Sequence, residues 1–455
     1  MVDVKDKLEL LKKERNVRAR GGGGSVEEVW SRIDRDADLS VKEKLEKLIG
    51  LTGGRAAVRP ASQASSPSAR IRADRPSRKP FEIFENSYPL KSRYGKHHIR
   101  EGLEVGSQAL FYLSKNEEFQ ALDLSTALLI DLETTGLAGG TGTVAFLVGM
   151  GYYRDDAFHV VQYFLGDMGE EERMIRELGS FFKEMGFRSV VTYNGKAFDV
   201  PLLETRFVLS REKYLLSELP HLDLLFSARS LWKHKHESCR LFHLAQQIVE
   251  APRSEDIPSA EIPFRYFDYL RGGDFSLIEP ILYHNQEDLL SLLGIAISAG
   301  KLFAAGEAGA CEDVDASDLI GVGKVFESAN EIGRSIDLFR KALEKGGLRN
   351  DLAIAVKTKL SYHFKRSADW ESAVALWQDI SEAGESPVTA LRELSIYFEH
   401  RKKDYAEAKR AAEEGLALSI RGPEKMRRDF EKRIGRLDLK ILKAAGSGCD
   451  DGDPR

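Results

Sequence analysis

ALLIDLETTGL, residues 127–137, opens with four apolar residues and closes on a turn signal. A short apolar run of this kind ending in Thr-Thr-Gly reads as a buried strand. Side chains alternate along a strand, so Asp131 and Glu133 point to the same face. Two carboxylates side by side at the end of a core strand are costly unless positive charge lies between them. A hard divalent cation with oxygen ligands is the partner that asks least of the surrounding chain. The other ligands must then come from elsewhere in the sequence.

The chain has 455 residues, enough for two or three domains, and its 42% hydrophobic content is that of a globular protein with a core. A formal net charge of −5 gives no global polyanion-binding signature, but residues 51–100 hold eleven Lys and Arg against three Asp and Glu. Cys239, Cys311 and Cys449 are far apart and form no metal-ligand spacing, which points to a reducing cytoplasm and away from a disulfide framework or a zinc site. No apolar run reaches the ~20 uncharged residues of a membrane span, and no signal-peptide core precedes the first charges.

Taken in order, residues 1–80 read as a largely disordered basic region. It holds two short charged segments that could be helical and a Gly21–Ser25 spacer. Residues 81–125 carry scattered aromatics and short apolar pieces that read either as strands or as a lead-in packing on the next domain. From 126 to about 305 the pattern is α/β, with a hairpin (Val144–Tyr153, a turn at Arg154-Asp155-Asp156, Phe158–Leu165), an amphipathic helix over 169–185 and a short strand from Ser189 to Tyr193. Helices follow over 199–211, 239–249, 264–271 and 275–304. Residues 315–445 carry no strand pattern but an internal repeat. Phe326, Ser335, Phe339 and Ala342 share their spacing with Phe364, Ala373, Trp377 and Ile380. Phe398, Ala408, Ala412 and Gly415 repeat it with one extra residue near Lys402-Lys403-Asp404. This resembles tetratricopeptide repeats, helix hairpins stacked into a short solenoid. Residues 446–455 read as a disordered tail.

Two stretches can supply the missing ligands. Asp199 follows the loop Asn194-Gly195-Lys196-Ala197-Phe198 and precedes Pro201, which places it at a helix N-cap. His284 and Asp288 are four apart within a helix and face the same way. Alone, the first is a cap and the second a surface pair. Together, Asp131-x-Glu133, Asp199 and His284-x-x-x-Asp288 resemble the DEDD exonucleases of the ribonuclease H-like superfamily. The string LLIDLETTGLAGGTGTVAFLVGMGYY, with Gln162-Tyr163-Phe164, His221-Leu222-Asp223, Ser238-Cys239-Arg240 and His284-Asn285, resembles more closely the YprB-like branch.

The resemblance implies a ribonuclease H-like α/β domain with a mixed central sheet over residues 81–305, followed by the all-α repeats over 315–445. It implies a 3′→5′ exonuclease acting on DNA or RNA. Asp131, Glu133, Asp199 and Asp288 would be ligands for two Mg²⁺ or Mn²⁺ ions and His284 the general base. His284 stands four residues before Asp288, the spacing of the tyrosine branch, and Tyr283, at five, would point about 100° away. Thr134, Leu137, Asn194, Lys196 and Arg240 are candidate nucleic-acid contacts, with turn formation or solvation as their simpler roles. The cluster Lys233-His234-Lys235-His236 reads as a solvated face. The Gly139–Thr143 turn lacks the P-loop pattern and leads into a strand. The repeats would engage a protein partner or position substrate. The competing reading is a nucleic-acid-binding or scaffolding protein with a vestigial site.

Overall fold

The computed structural model describes residues 79–136, 141–253, 256–308, 314–382, 387–420 and 423–446. The expectations for residues 1–78, Leu137, Gly139, Gly140 and the tail from 447 lie outside these residues.

Among the described residues there are eight strands: β1 (Phe81–Pro89), β2 (Arg93–Tyr94), β3 (His97–His98), β4 (Ala127–Thr134), β5 (Ala145–Arg154), β6 (Ala157–Leu165), β7 (Ser189–Thr192) and β8 (His221–Asp223). Six form one mixed sheet in the order β1-β6-β5-β4-β7-β8, and β2 and β3 form a separate hairpin. The opening stretch is the centre: β4 pairs antiparallel with β5 and parallel with β7. The β5–β6 turn puts both Asp155 and Asp156 at positive φ (48° and 59°), the backbone of a type I′ hairpin.

Sequence patterning places neither of the two edge strands. β1 pairs with β6 along its whole length, but as an edge strand half open to solvent it carries FEIFENSYP, without a clean apolar alternation. β8 is only three residues long, and its pairing with β7 depends on register, not on composition.

The helices of this part are α1 (Ser107–Ser114), α2 (Glu171–Met185), α3 (Asp199–Leu209), α4 (Leu224–Trp232), α5 (Leu241–Leu244), α6 (Ile262–Gly272) and α7 (Glu279–Ala308). Alternation along β4 splits its side chains between two cores. Leu128, Ile130 and Leu132 pack with Met174, Leu178, Leu203 and Tyr266 on one face. Ala127 and Leu129 pack on the other with Leu289, Leu293 and Ile297 of α7. Asp131 and Glu133 continue that second face, so the carboxylates look toward the first turns of α7. The segment Phe275–Gly306 is long and apolar enough to cross a membrane, yet 72% of its apolar window is buried inside this fold. It is the central helix of the domain.

Seven helices follow: α8 (Ala316–Ser328), α9 (Ile332–Lys345), α10 (Asn350–Arg366), α11 (Trp370–Glu382), α12 (Val388–Tyr397), α13 (Tyr405–Leu418) and α14 (Glu424–Gly446), each packed on the next. The repeat positions Phe326, Ser335, Phe339, Ala342, Phe364, Ala373, Trp377 and Ile380 are buried. The one-residue excess of the third repeat has a structural cause. A π-helical turn, Phe398–Lys402, absorbs the insertion and ends on Lys403 at φ 60°. The helical region does not hang from a linker. Leu231, Trp232, Phe303, Phe326 and Trp377 belong to one continuous apolar cluster.

Candidate active site

Three elements meet where β4 leaves the core. The strand delivers Asp131 and Glu133, and a register shift after Glu133 breaks the ladder to β5 there. Asp131 lies opposite Gly149 of β5. That glycine makes room for α7: a Cβ on it would lie 2.0 Å from Asn285 Oδ1. Asn285, fully buried, donates from Nδ2 to Asp131 Oδ2 at 2.8 Å and accepts from Gln162 Nε2 at 2.8 Å. The chain Gln162–Asn285–Asp131 therefore sets the carboxylate's orientation. Gln162 and Asn285 were read only as motif matches, and the structure shows what they hold.

The second element is the loop after β7. Asp223, at the end of β8, accepts the backbone N–H groups of Asn194 (2.7 Å) and Lys196 (3.1 Å) and also that of Leu225 at the start of α4 (3.1 Å). Asn194 is thereby held at φ 68°, and the chain turns into α3 at Asp199. The N-cap reading of Asp199 is corrected here. The helix begins at Asp199 itself, Phe198 occupies the cap position, and no side chain caps the helix. The carboxylate accepts its own backbone N–H, which lowers its pKa, but burial and Asp223 outweigh that.

The third element is α7. His284 and Asp288 lie one turn apart, with His284 Nε2 3.4 Å from Asp288 Oδ2 and 3.7 Å from Glu133 Oε1. Tyr283 points to solvent and is 40% exposed. Two residues that no pattern singled out complete the cluster. Asp256 binds His284 Nδ1 through Oδ1 and Arg253 through Oδ2. Arg253, whose side chain is 0% exposed, also donates from Nη1 to Asp288 Oδ1 at 2.6 Å. They lie in an irregular segment between the π turn Ala245–Val249 and α6, where neither spacing nor composition marks them.

Charge crowding shows in the protonation equilibria. Burial first, then Asp288, Glu133 and Asp199, hold the Asp131 carboxyl well above its ordinary range. Glu133 is raised in the same way by burial, Asp288, Asp199 and Asp256. Asp199 is pushed up to about 7 by burial and by Asp223. Burial opposes charge on His284, but Asp288 and the hydrogen bond to Asp256 outweigh it and raise its pKa. Asp256 moves the other way, since His284 and Arg253 overcome its burial.

The residues fit a divalent cation. Four hard oxygen donors, none with a sulfur neighbour, stand in mutual repulsion that a cation would relieve. Among the described residues no three carboxylate or imidazole donors already stand together at ligand distances. The positive charge here is that of Arg253, with His284 beside it.

The candidate nucleic-acid contacts are placed unevenly. Thr134 Oγ1 donates to Gly136 O at 2.9 Å, inside its own turn. Asn194 and Lys196 lie in the loop before Asp199, with the Lys196 side chain exposed. Arg240 is exposed at the N-cap of α5. The 233–236 cluster is corrected in part. His234 Nε2 bonds Ser317 O at 2.6 Å and Lys235 pairs with Asp318 at 2.9 Å, so these two also clasp α8, while Lys233 and Lys235 remain exposed.

Residues 128–299 match the family model RNase_H_2, described as the RNase_H superfamily. The chain is also 32% identical over 364 residues to the Bacillus subtilis (strain 168) protein named "Uncharacterized protein YprB", covering 79% of this chain and 86% of that one. This chain belongs to the YprB family. Membership, with the mixed sheet and the superfamily match, makes nuclease activity the kind of chemistry the fold suggests. Nucleases of this superfamily generally use divalent metals.

Proposed function

We propose that this YprB-family chain is a divalent-cation-dependent 3′→5′ exonuclease that hydrolyses phosphodiester bonds of DNA or RNA. The observation that supports it most directly is the convergence of Asp131, Glu133, Asp199 and Asp288 from three separate elements. They lie close enough for their charges to raise the pKa of Asp131 and Glu133. Asp131, Glu133, Asp199 and Asp288 would hold two Mg²⁺ or Mn²⁺ ions, which when bound supply activation of water and neutralisation of the leaving oxygen. His284, with Nδ1 held by Asp256, offers Nε2 to accept the proton of the attacking water. Gln162 and Asn285 keep Asp131 aimed, and Asp223 keeps the loop that carries Asp199 in place. The 3′→5′ polarity rests on the resemblance to the DEDD group. The solenoid reading of α8–α14 as tetratricopeptide-like repeats makes a protein partner the proposed occupant of their free surface. The domain limits 81–305 and 315–445 and a cytoplasmic site of action belong to the same proposal.

The competing reading is nucleic-acid binding without cleavage at a vestigial site. A single assay separates the two. Strands labelled at either end, single or double, are incubated with Mg²⁺, Mn²⁺ or EDTA. Metal-dependent release of 5′-mononucleotides from the 3′ end, abolished in Asp131→Ala and in Asp199→Ala, is expected. Binding with no cleavage in either metal would sink the exonuclease reading.

A further inference from the structure

We infer that Arg253 and Asp256 form one ion-paired clip that positions Asp288 and His284 for reaction. The inference rests on the nuclease reading of the site. The four side chains form a run of three contacts whose two ends stand close together. His284 Nδ1 meets Asp256 Oδ1, and Asp256 Oδ2 meets Arg253. Arg253 Nη1 meets Asp288 Oδ1 at 2.6 Å, and Asp288 Oδ2 returns to His284 Nε2 at 3.4 Å. The clip is shut off from water: the Arg253 side chain is 0% and that of Asp256 7% exposed.

Each link has a chemical consequence. A carboxylate can only accept, so Asp256 keeps the proton of neutral His284 on Nδ1 and leaves the Nε2 lone pair facing Glu133 and Asp288. Arg253 can only donate, so it occupies Oδ1 of Asp288 and leaves Oδ2, 3.4 Å from His284 Nε2, without that donor. Among the described residues, Arg253 Nε has no hydrogen-bond partner. Phe242, with its ring 5.2 Å from the Arg253 Cζ, closes the remaining side.

A loop staple without a role in the site would affect stability alone, and the test separates the two. The full chain is prepared as wild type, Arg253→Lys, Arg253→Met and Asp256→Asn, without nucleic acid. Mn²⁺ binding is followed by the electron-paramagnetic signal of free Mn²⁺. The His284 tautomer is read by long-range ¹⁵N–¹H correlation, assigned with His284→Ala. Arg253→Lys keeps the charge but not the two-sided grip, and it is expected to weaken Mn²⁺ binding about 10–100-fold with thermal melting nearly unchanged. Arg253→Met should weaken it at least as much. In Asp256→Asn the amide oxygen must face Arg253, so the amide NH₂ faces His284 Nδ1 and the ring proton is expected to move to Nε2.

Unchanged Mn²⁺ affinity and an unchanged tautomer, with lower melting alone, would reduce the clip to a staple. Tighter Mn²⁺ binding in the Arg253 variants would also overturn it, because Arg253 would then be a competitor of the cation. If the wild type binds no Mn²⁺, the nuclease reading fails. The clip is then decided by the tautomer alone, with Nδ1–H in the wild type and Nε2–H in Asp256→Asn supporting it and any other result overturning it.

Discussion

Asp199 shows how far a single residue can be taken from its sequence neighbourhood. With Pro201 two positions on, it reads as an N-cap, a role that would lower its pKa. In the structure it is raised from 3.8 to about 7 by burial and Asp223. An acid raised in the folded state keeps its proton there while the unfolded chain loses it. The stability it contributes is therefore full below pH 3.8 and lost as pH rises toward about 7. In EDTA, the unfolding free energy from urea titrations is expected to fall between pH 5 and 7, by on the order of 2 kcal/mol once solvent screening is allowed for. Asp199→Asn should flatten that slope and be more stable than wild type at pH 7. Mn²⁺ should flatten it in the wild type, since a bound cation favours the ionised form. A slope identical in Asp199→Asn would remove Asp199 as its source.

At the scale of elements, two contacts carry consequences that can be measured. The β5–α7 approach depends on Gly149, where a Cβ would collide with Asn285. Gly149→Ala is expected to cost about 1–3 kcal/mol in overpacking. It should also lower metal-dependent activity, because Asn285 is what orients Asp131; an active Gly149→Ala enzyme would dismiss that role. In the helical region, the π turn places Glu399, 0% exposed, against Arg433, Arg436 and Lys440 at 3.0, 2.7 and 2.8 Å. Its burial would raise its pKa, but the hydrogen bonds from Arg436 and Lys440 push it down to about 2. The stability this pair network supplies is full above pH 4.5 and lost as pH falls toward 2. Glu399→Gln is expected to cost about 2–3 kcal/mol at pH 7, less than a deeply buried pair because Arg436 is half exposed. It should also flatten the acid limb of a denaturation series; an unchanged acid limb would contradict the assignment.

At the scale of the whole molecule, the sheet domain and the helical region share one apolar cluster. Gly321 of α8 lies so close to α4 that a Cβ on it would be 2.3 Å from Leu231 O. Gly321→Leu is expected to lower the melting temperature by several degrees, at roughly 1–3 kcal/mol of overpacking. Circular dichroism and the fluorescence of Trp232, Trp370 and Trp377 should follow a single transition in the wild type. Two resolved transitions would show that the regions fold independently. The 233–236 cluster belongs to this scale. In the sequence it is four polar residues on a helix end, and only the neighbouring α8 turns His234 and Lys235 into a clasp.

The elements that local chemistry specifies were readable in order: the β4 strand, the β5–β6 hairpin, the α2 amphipathic face, the long α7 and the repeat spacing. Periodicity and turn residues act within a few positions, so a single chain displays them. The parity of Asp131 and Glu133 and the one-turn spacing of His284 and Asp288 follow from the same local geometry. Tertiary structure decided what is set by residues distant in sequence. It placed β1 and β8 at the sheet edges, because pairing register is not a property of one segment. It also freed Asp199 from the cap and joined Gln162 to Asp131 through Asn285. Arg253 and Asp256 entered the site from an irregular segment. Their importance comes from the low-dielectric surroundings that fix two charges against His284 and Asp288, and no periodicity in the sequence encodes that environment.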